Sequence, residues 1–471
     1  MQYLLALVAL GVSIALQASG AASPLDDFIA SELDAASLPG VSYAIVDNGT
    51  TVSGAQGIAD LRTGKALAPD TPFQLASISK SFTAIAILQL VETGDVALEG
   101  ELSLYLDDFR DSPAGAISIR QLLSHTSGYS TRQGNDTHVD RPESKDALSR
   151  QVERIARWSP AYAPGSRWDY SNANYVLLGA VIETMSGLKY DQYVETNIIE
   201  PIGMRNSFVG DGGTYDSVAI GHKPWFGHKR PAKDRNTKTV RAGAPAGGVI
   251  ASADDLALYL QTLLNGEDDI ISAEHKALMM QPANEQSPYY GLGWMLNPQD
   301  GTVYHTGTNP GTETLAILQP EAGKAVVVLV NAGSGMGFGE TGNLINRISA
   351  YGLGRDFLRD ESSWGRKSLF LTFALLPLIF LIGTVQAWRR RSGLRAKSGA
   401  SGAFSLWFPV LVTSVLAWVS YALIPGLFGV SLNTLGIFSP DLAIALFATA
   451  VTGLIWSVFR LFIFYGGRVR T

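Results

Sequence analysis

Three apolar stretches near the end of the chain, roughly residues 368–388, 404–430 and 440–464, constrain it more than any other feature. At ~1.5 Å of rise per residue each is long enough to cross ~30 Å of hydrocarbon. The chain as a whole is 46% hydrophobic with a mean hydropathy of +0.13, high for a protein solvated by water alone, and these stretches hold the excess. They are expected to be transmembrane helices rather than core helices of a soluble domain. Arg389, Arg390, Arg391, Arg395 and Lys397 lie between the first two, whereas the connection between the second and third carries no Lys or Arg. The positive-inside rule therefore puts the arginine loop, and with it the C-terminus near Arg460, Arg468 and Arg470, in the cytoplasm. Trp364, Trp388, Trp407 and Tyr465 sit near span ends, where interfacial aromatics are common. Ionisable residues are nearly absent within the spans, which leaves a transporter no residue to work with.

The other end agrees. Residues 3–16 form an apolar run too short to span, followed by small residues around Ser19, Ala21 and Ala22. Residues 1–22 thus read as a secretory signal peptide, although no Lys or Arg precedes the run, with an uncleaved anchor as the alternative. Residues 23–360 would then face the outside of a bacterial cytoplasmic membrane, in the periplasm or its equivalent. A net charge of −6 gives no basic footprint for nucleic acid. The chain has no cysteine, so disulfides and thiolate chemistry are excluded. The six histidines show no paired metal-ligand spacing, and neither metal nor cofactor is implied.

Within 23–360, Pro24 to Ala36 reads as a helix; Val41–Val46 and Thr51–Ile58 read as strands joined at Asp47-Asn48-Gly49, a hairpin signal. A helix is expected from Ser77 to Thr93, ending at Gly94. Residues 100–240 carry helical patterns and no clear strand pair, and look like a helical insertion. Strands return at Leu315–Leu318 and Ala325–Asn331, and a last helical pattern runs from Gly339 to Ala350. The expectation is an α+β fold: an antiparallel sheet shared by the first and last thirds, flanked by helices, with a large helical insertion.

Ser77 and Lys80 make Ser-x-x-Lys at the start of an apolar helix, on one face of it. A helix N-terminus offers free N–H groups to an oxyanion and disfavours the ammonium form of Lys80. A neutral lysine beside a hydroxyl can take its proton. The pattern alone is weak, since Ser186 and Lys189 repeat it at a helix end, where it reads as surface. Tyr170-Ser171-Asn172 is the only Tyr-x-Asn in the chain. A phenol held near a lysine can shuttle protons, and an amide can orient a substrate carbonyl. His305-Thr306-Gly307 precedes the strand at Leu315, and a glycine there would let a substrate lie along the strand edge. His125 reads as a scaffold histidine rather than a ligand, and the basic run at 222–241 as a solvated loop.

The order Ser-x-x-Lys, Tyr-x-Asn, then a basic residue-Thr-Gly resembles class C β-lactamases, penicillin-binding D,D-peptidases and related esterases. The phrases IRQLLSHTSGY (119–129), NIIEPIGM (197–204), PAGGVIASADDLALYL (245–260) and YGLGW (290–294) are similar to that family as well. The resemblance implies Ser77 as nucleophile, Lys80 and Tyr170 as the general-base pair, and Asn172, His305, Thr306 and Gly307 as substrate-binding residues. It implies an oxyanion hole from the backbone N–H groups of Ser77 and Thr308. His305 departs from the lysine usual in penicillin-recognising members; a mostly neutral imidazole weakens an anchor for a terminal carboxylate. That shifts the expected substrate from β-lactams towards other small peptides, amides or esters. The signal peptide, the catalytic domain, the three spans and HTGTNPG (305–311) together resemble membrane peptidases that remove an N-acyl-D-amino-acid prodrug cap, as in colibactin maturation. A reading from another class, a catalytically idle cell-wall-binding sensor, is disfavoured by the presence of all three motifs. Membrane lipid is the other expected partner, and oligomeric state is not legible.

Overall fold

A computed structural model describes residues 24–138, 144–232, 241–357 and 362–468; the signal-peptide reading lies outside them. Strands β1 (Gly40–Asp47) and β2 (Thr50–Asp60) are joined by Asn48 and Gly49, both at positive φ (48° and 82°). That turn matches the twist of a tight hairpin. After β3 (Lys65–Ala66) and β4 (Phe73–Gln74), the insertion contributes β5 (Phe208–Val209), β6 (His222–Trp225) and β7 (His228–Pro231), and β8 (Val249–Ala251) follows it. The last third adds β9 (Met295–Asn297), β10 (Thr302–Asn309), β11 (Thr312–Gln319) and β12 (Lys324–Val330).

The main sheet is seven-stranded, in the order β3-β2-β1-β12-β11-β10-β9, and its pairs are antiparallel. First and last thirds meet at β1–β12, where Ala44 faces Val327. Both faces are covered. In β12 Val326, Val328 and Val330 join one core, beneath helices α1 (Pro24–Ala35) and, later in the chain, Gly342–Leu353. Ala325, Val327 and Leu329 join the other. The period of two sorts one strand into two cores, so it reads as a continuous apolar run.

The larger core is built on α2 (Ser79–Glu92) and, from the insertion, α4 (Asn172–Ser186), closed by α5 (Ala253–Leu264), while the polar α3 (Thr131–Asp136) packs through Gly134 on the start of α4. The insertion is not purely helical as expected. β5 pairs with β8, and β6 with β7 form a hairpin. The β6/β7 residues HKPW and HKRP lack alternation and carry proline, so no period-two signal betrays them. Nor is the basic run simply solvated: Lys223 is buried, and Lys229 donates to the carbonyls of Gly333 and Gly339. Its Lys233, Arg235 and Lys238 lie outside the described residues.

Following α6 (Gly342–Leu353) come α7 (Trp364–Arg389), α8 (Gly399–Leu427), the short α9 (Leu432–Phe438) and α10 (Pro440–Arg468). α7, α8 and α10 are long and apolar enough to cross a membrane. Ile379 (59% exposed) and Phe462 (68%) show that their apolar side chains face outward, as lipid solvation requires. Small residues let them approach: a Cβ on Gly383 would stand 2.7 Å from Trp456 Nε1. Asp441 accepts from the backbone N–H of Phe226 at 3.0 Å, and Arg366 pairs with Glu340 at 2.5 Å, joining these helices to the sheet domain.

Candidate active site

Ser77 does not open the α-helix itself. It sits in a single 3-10 turn, Ala76–Ile78, directly before α2. Ala76 is held at φ 51°, a left-handed conformation that costs a residue with a Cβ about 1 kcal/mol and persists only where the surroundings enforce it. They do: Leu75 N–H donates to Val249 O (2.9 Å), its carbonyl accepts from Thr314 Oγ1 (2.9 Å), and Ser79 Oγ accepts from Val249 N–H (2.9 Å). β10 crosses this turn closely. A Cβ on Gly307 would lie 2.1 Å from Leu75 O and 2.2 Å from Thr314 Oγ1, so Gly307 is where the strand and the Ser77 turn meet.

Lys80, the second residue of α2, is fully buried. Its Nζ lies 3.1 Å from Ser77 Oγ, 2.8 Å from Asn172 Oδ1 and 2.7 Å from Ala246 O. All three partners are neutral, and burial pushes the ammonium pKa well below the ordinary lysine value. A neutral amine has two N–H bonds and one lone pair. Two of its neighbours, the Asn172 and Ala246 oxygens, can only accept; the lone pair is therefore left for the hydroxyl proton of Ser77. Ala246 was not singled out in the sequence, because a backbone carbonyl leaves no residue-type signal; the PAGG phrase around it did.

Tyr170 hydrogen-bonds Ser77, and its ring lies 5.0 Å from Lys80 Nζ. Burial pushes its pKa above the ordinary phenol value, so it rests as a proton donor. His125 sets its pose, with ring centroids 4.3 Å apart. The His125 Nδ1 accepts the Ser171 N–H at 3.1 Å, and burial drives its pKa well down. The scaffold reading of His125 is thus of a scaffold for the Tyr170-Ser171-Asn172 turn.

His305, Thr306 and Gly307 precede the strand expected at Leu315, which is β11, and themselves lie inside β10, its antiparallel partner. His305 is buried on the sheet's inner side; its Nδ1–H donates to Thr306 O (2.7 Å) and its Nε2 accepts from Tyr290 OH (3.1 Å). Burial, then the Lys80 charge, lower its pKa to about 3, so the imidazole is neutral. It does not line the cleft, and neither do Thr306 and Gly307. Thr308 and Asn309 do, with Ser77, Tyr170 and Asn172, around about 630 Å³. β9 pairs only with Thr302–Tyr304, so among the described residues the outer edge of β10 from His305 onward has no strand partner there. Phe428, Val430, Leu435 and Phe438, from the stretch linking α8 to α10, form the far wall with Leu442 of α10. In the spare copy Lys189 is exposed and pairs with Glu183 at 2.9 Å, and the half-buried Ser186 donates to Ile182 O.

A family model described as Beta-lactamase matches residues 25–349. The chain belongs to the Beta-lactamase family. As such it is a serine hydrolase, and its mixed fold with an antiparallel sheet is that of the penicillin-binding proteins and class C β-lactamases. "Protein flp" of Staphylococcus aureus (strain MRSA252) is 26% identical over 412 residues, covering 85% of this chain and 81% of that one. That share exceeds what residues 25–349 supply, so the likeness extends into the apolar tail. "Penicillin-binding protein 4*" of Bacillus subtilis (strain 168) is 30% identical over 299 residues, 58% of this chain and 64% of that one. The octameric penicillin-binding protein homologue from Pyrococcus abyssi has a TM-score of 0.61 at 26% identity, covering 70% of this chain and 77% of that one.

Proposed function

We propose that this Beta-lactamase family member is a membrane-anchored peptidase-like hydrolase that cleaves an amide or ester through an acyl-Ser77 intermediate. The observation that carries the reading is the environment of Lys80, whose two carbonyl-type partners leave its lone pair for Ser77. Ser77 Oγ attacks the substrate carbonyl as its proton passes to Lys80 Nζ. The tetrahedral oxyanion is received by the N–H groups of Ser77 and Thr308. On collapse the leaving nitrogen or oxygen takes a proton from Tyr170, which Lys80 restores. Water then enters, gives its proton to the same pair, and releases the acid and free Ser77. Asn172, beside Lys80, faces the cleft to orient the substrate amide.

The one Lys or Arg side chain lining the cleft, among the described residues, is Arg366, and it is paired with Glu340; His138, the histidine of the lining, contacts Asn172 Nδ2. With a neutral His305 turned away, nothing there demands a terminal carboxylate, and neutral amides and esters fit better than β-lactams. The resemblance to prodrug-cap peptidases makes N-acyl-D-aminoacyl amides the first substrates to try. The arginine-rich loop after α7 supports a cytoplasmic side for that loop and a hydrolase domain outside.

The test is a substrate panel on the full chain in detergent: N-acyl-D- and N-acyl-L-aminoacyl amides, matching esters, and a penicillin. Hydrolysis of an amide or ester with a burst of first product supports the reading. Turnover of penicillin alone would assign a β-lactamase, and binding without turnover of any member would leave an idle sensor.

A further inference from the structure

The stretch between α8 and α10 does more than wall the cleft. Asn172 Oδ1 must face Lys80 for the lone pair to point at Ser77; an inverted amide would present its NH₂ instead. Its orientation is set by its Nδ2, which donates to Asn135 Oδ1 (3.2 Å) and contacts His138 Nε2 (3.2 Å). Both of those residues rest on the α8–α10 stretch. Asn135 Nδ2 donates to the carbonyl of Gly429 at 3.0 Å. The His138 ring meets Phe438 edge-on, centroids 5.7 Å apart.

The geometry leaves little slack on either side of α3. A Cβ on Gly134 would lie 2.4 Å from Asn172 N, and a Cβ on Gly429 would lie 2.9 Å from Thr131 Cγ2. Gly429 is also at φ 64°, where a side chain is strained. On its own side, Thr131 N–H and Oγ1–H donate to Asp169 Oδ1 (2.9 and 2.6 Å), next to Tyr170. α3 is therefore clamped between the apolar helices and the Tyr-x-Asn turn.

We infer that the α8–α10 stretch is a working part of the active site: through Gly429, Asn135 and Phe438 it holds the Asn172 amide in the orientation that directs Lys80 at Ser77. Asn135 and Gly429 are positioning residues, and the apolar helices are not only an anchor. The inference rests on the acyl-Ser77 reading.

The experiment follows fluorophosphonate labelling of the full chain in detergent by intact mass, recording both the rate constant and the final fraction labelled. Gly429→Ala and Asn135→Ala are expected to slow labelling roughly tenfold, the worth of one hydrogen bond, while reaching the parental endpoint. Asn135→Asp, which still accepts from Asn172 Nδ2, recovers part of the loss. Parental rates in both Ala variants would overturn the inference, as would a reduced endpoint at parental rate, the mark of a purely structural role. An unlabelled parent, or labelling that survives Ser77→Ala, would instead sink the underlying reading.

Discussion

The amine of Lys80 stands 2.7 Å from the carbonyl oxygen of Ala246 and 2.8 Å from that of Asn172, with no carboxylate among its partners. A buried lysine so placed is depressed in pKa, which ties the proposed base to stability. Between its folded pKa and the ordinary lysine value the unfolded chain binds the extra proton. Stability from this site is therefore lost as pH falls through the folded pKa and gained as pH rises. Lys80→Met is expected to abolish labelling by a fluorophosphonate and to lack that pH dependence. Thermal unfolding of the pair from about pH 6 to 9 should show the parent gaining on the variant with rising pH; a constant difference would mean Lys80 titrates normally.

His305 works in the same direction lower on the scale. With a folded pKa near 3 against an ordinary value of about 6.5, its contribution is complete above pH ~6.5 and lost as pH falls towards 3. His305→Gln keeps an acceptor for Tyr290 OH but does not titrate. Its melting temperature should decline less steeply than the parent's across that acid range. An equal slope for both proteins would place His305 in water.

Tyr170→Phe keeps the ring against His125 and removes only the hydroxyl bonded to Ser77. Turnover should fall by about 10²–10⁴-fold with little change in melting temperature. Tyr170→Ala should lower both. Retention of most activity in the Phe variant would remove Tyr170 from the proton relay.

Gly307→Ala drives a methyl into Leu75 O and Thr314 Oγ1, backbone and buried side chain that have no room to give. Overpacking of this kind costs about 1–3 kcal/mol, and here it also displaces the Ser77 turn. Both melting temperature and labelling rate should drop, whereas Gly365→Ala, whose Cβ would meet nothing within 4 Å, serves as the silent comparison. Normal labelling by Gly307→Ala would show that β10 and the turn are not rigidly coupled.

The sequence made the sheet legible where hydrophobic runs and turn chemistry coincide, as at Asn48-Gly49 and in β12, because burial and local geometry agree there. It left β6 and β7 unread, since Lys, Pro and His in those strands give no alternation. At the site, residue types pointed to Ser77, Tyr170 and Asn172, which the fold gathers around one cleft, and to Lys80, which it buries behind Ser77. What sequence could not supply was direction. His305 sits in the anticipated motif but points inward to Tyr290, and Gly307 serves the approach of β10 to the Ser77 turn. Ala246 acts through its carbonyl. Asn135 and Gly429 matter because of a contact 294 residues apart along the chain, for which no local pattern exists.

The most direct measurement is the intact mass of the full chain and of its Ser77→Ala variant after fluorophosphonate treatment. One adduct per parent molecule, mapped to Ser77 and absent from the variant, is the predicted result. Equal labelling of the two proteins, or no labelling of a folded parent, would contradict an acyl-serine mechanism at this residue.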